Sequence, residues 1–134
     1  MASLESYPKS LAEMDLLLIP ANFDRLSISY VQYSLSNKLC ECLASGTPVL
    51  AYGPGNVQTI RIVGDNECGE VLSLHSVPEL KNRIQLLGHS EERRRQLASN
   101  ARQCVATSFS LQHIRRTFEQ RLCQAANRLA LSGL

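Results

Sequence analysis

The chain has 134 residues, a formal net charge of +2 and 19% charged residues, which suits one soluble domain built on one core. That charge is too small to argue for a nucleic-acid partner, and three Phe, four Tyr and no Trp, with no basic–aromatic interleaving, leave few stacking platforms. Five cysteines without a C-x-x-C pair and three isolated histidines argue against a disulfide framework or a zinc site, and for reduced thiols in a cytoplasmic protein. Cys40 and Cys42 in particular would point roughly 200° apart on a helix.

Met1–Ser10 carries Glu5, Pro8 and Lys9 and no apolar run, so no secretory signal is read there. Leu4–Met14 is predicted as a helix started or interrupted near Pro8. Asp15–Pro20 reads as a strand. Leu16, Leu17, Leu18 and Ile19 are apolar without alternation, so both faces should be covered, as in a parallel sheet between helices. The run is far too short to span a bilayer. Ala21–Leu35, rich in Ser and Tyr, reads as a long loop.

Ser36–Ser45 has the pattern of an amphipathic helix. Ser36 is placed as its N-cap, Leu39, Leu43 and Ala44 as its buried stripe, and Gly46 as the left-handed residue that ends it. Thr47–Tyr52 is the second predicted strand, with Pro48 at its mouth, where a missing N–H is tolerated. Gly53-Pro54-Gly55 is a turn; it has neither a G-x-G-x-x-G pattern nor a Walker lysine. Asn56 is placed as the cap of a short helix through Ile60 and Val63.

Glu70–Leu74 is the third strand. Ser76 and Glu79 form a capping box ahead of Leu80, Ile84 and Leu87. Ser90 caps the next helix, with Leu97, Ala101, Cys104 and Val105 on its buried face. Ser110 opens the last helix, at about residues 110–131, where Leu111, Ile114, Phe118, Leu122, Ala125 and Leu129 form one stripe. Strands alternating with helices give an α/β fold of Rossmann-like three-layer form: a short parallel sheet of about three strands, flanked by helices. A full domain of that kind has about six strands, in the order 3-2-1-4-5-6.

The run Lys38-Leu39-x-Glu41-x-Leu43-Ala44-x-Gly46-x-Pro48-Val49 resembles the donor-site helix of GT-B glycosyltransferases, above all the retaining group that uses nucleotide sugars. Asp15–Pro20 resembles the strand before the family's donor loop, Cys68–Leu72 the strand after it, Ser76–Leu87 and Glu91–Ala101 its following helices, and Phe109-Ser110 the start of its C-terminal helix. The resemblance implies that residues 1–134 form one partial donor-binding domain, the C-terminal part of a GT-B C-terminal domain. It implies sugar transfer from a nucleotide sugar without a required metal ion or cofactor.

The same resemblance assigns roles. Glu41 would accept hydrogen bonds from both ribose hydroxyls of the donor, since a carboxylate can take two O–H donors at once. Lys38, with backbone N–H groups of Ser36, Asn37 and Lys38, would meet the diphosphate at a positive helix end. The bland alternatives are an in-helix Lys38–Glu41 pair or two solvated side chains. Asp24 stands near where the family has a sugar-contacting glutamate, but without the flanking glycines and at a longer spacing to Glu41; a loop cap or turn residue is the alternative.

The family's first strands and acceptor-binding N-terminal domain have no counterpart here. The chain alone is therefore expected to be inactive and to bind nucleotide weakly. Its open first strand would pair across a homodimer, lie under the N-terminal helix, or meet a separately encoded N-terminal half. Arg93, Arg94, Arg95, Arg115, Arg116, Arg121 and Arg128 give the last third a basic face, read first as solvated helix surface and second as a peripheral contact for anionic lipid headgroups.

Overall fold

The computed structural model describes residues 7–131. The elements run α1 (Tyr7–Ala12), β1 (Leu17–Pro20), α2 (Arg25–Val31), α3 (Asn37–Ala44), β2 (Val49–Tyr52), α4 (Gln58–Asp65), β3 (Glu70–Leu72), α5 (Val77–His89), α6 (Glu91–Ser108) and α7 (Leu111–Leu131). The three strands form one parallel sheet in the order β1-β2-β3. Leu17 is level with Val49 and Pro20 with Tyr52, while Leu50 is level with Glu70. Each predicted strand is present, trimmed at its ends. Of the predicted first helix, Leu4–Ser6 lie outside the described residues.

Period-two alternation along β2 divides the core. Val49 and Ala51 join Leu39, Cys42, Leu43, Val57, Ile60 and Val63 on the face covered by α3 and α4. Leu50 joins Leu72, Leu87 and Leu97 on the face covered by α5 and α6. Helix α6 serves both, giving Leu97 to one cluster and Ala101 and Cys104 to the other. This is the expected three-layer arrangement. Gly69 allows it locally: a Cβ there would meet the Val63 side chain and the Val49 carbonyl at under 3 Å.

Several local expectations need correction. The segment Ala21–Leu35 is not all loop: it holds α2, capped by Asp24, whose side chain accepts from the Ser27 N–H at 2.8 Å. In α3, Ala44 is exposed and Cys42 is buried instead, because Cys42 falls beside Leu39 and Leu43 on the sheet-facing side. Ser36 holds the N-cap position but its side chain makes no cap bond. Helix α4 starts after Val57, not Asn56, and without a side-chain cap.

The Ser76 hydroxyl accepts from the Glu79 N–H at 3.3 Å, but the Glu79 carboxylate turns to Arg83 rather than completing the box. Ile84 is exposed. Ser90 and Ser110 cap α6 and α7 as predicted, accepting from the N–H groups of Arg93 and His113. The stripe of α7 exists but is not buried: Leu111, Ile114, Phe118 and Leu122 all face outward. The side chain of Leu129 lies outside the described residues. Gly46 has the expected left-handed backbone, φ +76°.

Candidate functional site

Parallel strands all end at the same rim, and in open α/β sheets ligands bind in the crevice beyond the carboxyl ends. Here that crevice is a cleft of about 740 Å³. Its lining combines the end of β1 (Ile19–Asn22), residues Ser27, Tyr30 and Val31 of α2, Ser34–Asn37 at the start of α3, and Val57, Thr59 and Ile60 of α4. Ile19, Val57 and Ile60 are buried and give it an apolar floor. The Ala21 N–H donates to the Tyr52 carbonyl at 2.8 Å and the Gly53 N–H to the Leu72 carbonyl at 3.1 Å, so the ladder continues past the strands and holds the rim.

The α3 N-terminus is positioned by a residue the sequence did not single out. Thr59 is buried, and its hydroxyl accepts from the Ser36 N–H at 2.9 Å and donates to the Ser34 carbonyl at 3.4 Å. The Gln58 N–H donates to the Gln32 carbonyl at 2.9 Å, a second tie between α4 and the segment leading into α3. No local signal marks Thr59, because its partners lie more than twenty residues away along the chain. The cap at Asp24 is local, but Arg25–Val31 carries no buried stripe to mark α2, and the sequence reads the segment as loop.

The predicted site residues divide. Ser36 and Asn37 stand in the wall of the cleft. Glu41 is exposed one turn behind Asn37 on the same helical face, and neither it nor Lys38 lines the cleft. Lys38 is exposed and forms no ion pair with Glu41 among the described residues. Asp24 lies outside the lining and caps α2. Its bonds to Ser27 hold the carboxyl below its ordinary pKa of 3.8.

Three aromatic rings close the rim beside the cleft. Phe23, after β1, stacks on His75, after β3, with centroids 4.6 Å apart and planes 8° apart. Its other neighbour is Tyr52 at the end of β2, 5.2 Å away and tilted by 56°. Each strand thus contributes one ring at its carboxyl end. The thiols stand apart from this chemistry. Cys42, Cys68 and Cys104 are buried, and burial together with the neighbouring Cys104 raises the Cys68 thiol to about 12. Among the described residues no cluster of His, Cys, Asp and Glu could hold a metal ion.

A short parallel sheet between helices, with a cleft at its carboxyl rim opening onto a helix start, gives the chain a Rossmann-like fold similar to that of GT-B glycosyltransferase domains. The chain belongs to the glycosyl transferase-like family, whose model matches residues 2–120. The structure is similar to WaaG, a glycosyltransferase involved in lipopolysaccharide biosynthesis, with a TM-score of 0.62, 23% identity, and coverage of 81% of this chain and 26% of WaaG. It is similar also to the C-terminal domain of the group 1 glycosyl transferase LpcC from Francisella tularensis, with a TM-score of 0.63, 17% identity, and coverage of 83% of this chain and 51% of that domain. The chain therefore spans about a quarter of one neighbour and half of the other. No protein of curated function matches the sequence.

Proposed function

We propose that the carboxyl-rim cleft binds the nucleoside diphosphate part of a nucleotide sugar, as the donor half of a glycosyl transfer site. The observation that most supports this reading is the presence of Ser36 and Asn37 in the cleft wall, at the positive end of α3. In this reading the backbone N–H groups there and the Lys38 ammonium meet the diphosphate. Glu41 accepts from the ribose hydroxyls. The apolar floor of Ile19, Val57 and Ile60 excludes water beneath the donor, and Tyr30 offers a ring at the edge. Asp24, outside the cleft lining, serves as the cap of α2.

Transfer itself rests on positioning and on stabilising the departing diphosphate. The acceptor side is supplied from outside these residues, so the chain alone turns over no nucleotide sugar. Thermal shift with uridine, guanosine and adenosine diphosphates tests the binding claim. One of them should raise the melting temperature of the wild type and not of Glu41→Ala. No shift with any of the three, or equal shifts in both proteins, would contradict it.

A second, non-enzymatic reading draws on β1. Its outer edge pairs with no strand among the described residues, and Leu18 on it is 46% exposed. Edges of this kind are templates for another strand. In this reading a second copy or a companion N-terminal half completes the sheet. A concentration-dependent dimer in sedimentation that Leu18→Lys dissolves would favour self-pairing, and capture of a companion half would favour a split transferase.

A further inference from the structure

Helices α3 and α4 meet beneath the wall of the cleft through one side chain. Thr59 is only 6% exposed, and a hydroxyl buried that far needs partners within the protein. It has two, both at the entry to α3: it accepts from the Ser36 N–H at 2.9 Å and donates to the Ser34 carbonyl at 3.4 Å. One hydroxyl oxygen can do both at once. Valine has nearly the same shape and can do neither. The contact is internal, so it does not depend on what completes the sheet beyond β1.

These bonds decide how α3 begins. Ser36 holds the N-cap position without a cap bond from its own side chain. Its backbone is gripped on both sides instead, the N–H by Thr59 and the carbonyl by the Leu39 N–H at 3.0 Å. The N–H groups of Asn37 and Lys38, next along the helix, have no acceptor among the described residues. Where those two donors point follows from the backbone of Ser36, which Thr59 fixes. The bond from the Gln58 N–H to the Gln32 carbonyl draws α4 against the same segment. That second tie is backbone to backbone, whereas the Thr59 tie can be removed by changing a side chain.

We infer that Thr59 is a positioning residue for the diphosphate of the donor, acting through the start of α3 rather than by contact with the ligand. The inference rests on the donor reading above. Hydrogen bonds to phosphate oxygens are short and directional, so the Asn37 and Lys38 N–H groups must be aimed before the ligand arrives. With the Thr59 hydroxyl in place they are held at the cleft. Without it the Ser36 N–H loses its acceptor, and the first turn of α3 is free to swing toward water to satisfy it.

The test is calorimetric titration of the full chain, below the melting temperature of every variant, with whichever of uridine, guanosine and adenosine diphosphate best raises the wild-type melting temperature. Thr59→Val should weaken binding about tenfold, the loss expected when a buried hydrogen bond that sets donor geometry is removed. Thr59→Ala removes the same hydroxyl with less bulk and should act alike. Thr59→Ser keeps the hydroxyl on a freer rotamer and should stay within about threefold of the wild type. Val63→Ala is the comparison for stability alone. Val63 is buried on α4 outside the cleft lining, so its truncation should lower the melting temperature and leave the dissociation constant unchanged. In the unliganded protein the amide resonances of Asn37 and Lys38 should move in Thr59→Val and return in Thr59→Ser. Equal affinity in Thr59→Val and wild type, a Thr59→Ser variant as weak as Thr59→Val, unmoved Asn37 and Lys38 amides, or an equal loss in Val63→Ala overturns the positioning role and leaves the donor reading standing. A wild type that binds none of the three nucleotides overturns the donor reading, and this inference with it.

Discussion

The ring of Phe23 lies flat on the imidazole of His75, 4.6 Å away, so the loop that leaves the first strand crosses the second to touch the segment beyond the third. That one contact ties both outer strands together at the rim. It also fixes the direction in which the chain enters α2, and α2 carries Ser27 and Tyr30 to the cleft. Helix α2 buries none of its own residues, so its placement depends on such contacts at its ends.

Phe23→Ala should therefore loosen the cleft more than the core. The expected cost is about 1 kcal/mol for the ring pairs, beyond lost burial. Amide exchange should accelerate across residues 21–32 and stay unchanged in β2. Uniform acceleration throughout the sheet would contradict a local role.

Glu70 joins the third strand to two helices. Its carboxylate accepts from Arg83 at 2.7 Å and Arg93 at 3.1 Å, and its side chain is only 16% exposed. Arg83 also donates to Glu79, and that bond, with Glu70 beside it, raises its pKa above the ordinary value. Both arginines reach solvent, so the pairs are screened and Glu70→Gln should cost about 1–2 kcal/mol. The loss should shrink in high salt, as read from urea unfolding at two ionic strengths.

Gly46 ends α3 at φ +76°, and a Cβ there would press on the Arg102 guanidinium. The guanidinium can move aside; the backbone cannot. Gly46→Ala should cost about 1–2 kcal/mol and Gly46→Asn less, since Asn tolerates the left-handed region. Thermal unfolding of the two variants checks the order.

Thiol chemistry should report the fold. The exposed Cys123 should react with a disulfide reagent at once, and Cys42, Cys68 and Cys104 only on unfolding. The folded Cys68 thiol keeps its proton up to about 12, whereas the unfolded thiol loses it near 9.0. The stability this difference contributes is complete below pH 9 and declines as pH rises toward 12. Cys68→Ala should flatten that alkaline decline. Asp24 acts in the opposite range: its carboxyl is held below 3.8, so its contribution is present above that value and is lost as pH falls through the lowered one. Asp24→Ala should remove this acid-side loss, as read from melting temperature against pH.

What the sequence disclosed follows from where the forces are local. The all-apolar run at Leu16–Ile19 marked a parallel strand but not its cover, since Leu18 is exposed rather than packed as expected, and Ser90, Ser110 and Gly46 marked helix ends, because caps act within one turn. Helix α2 escaped because Leu26, Tyr30 and Val31 face outward, leaving no buried stripe to count. In α7 the stripe was legible and its exposure was not, since periodicity reports a face and not what covers it. At the cleft, Ser36 and Asn37 could be placed from the α3 pattern. Thr59, which holds that helix start through bonds to Ser36 and Ser34, could not, because it acts across the fold.

That a nucleoside diphosphate lies in the carboxyl-rim cleft, against the start of α3, is tested most directly by backbone amide NMR. The full chain would be titrated with the nucleotide that best raises its melting temperature. Perturbations should gather at Asn22, at Ser34–Lys38, at Thr59 and at Glu41, and should be lost in Glu41→Ala. Perturbations absent at saturating nucleotide, or centred on α5, α6 or α7, would contradict the placement.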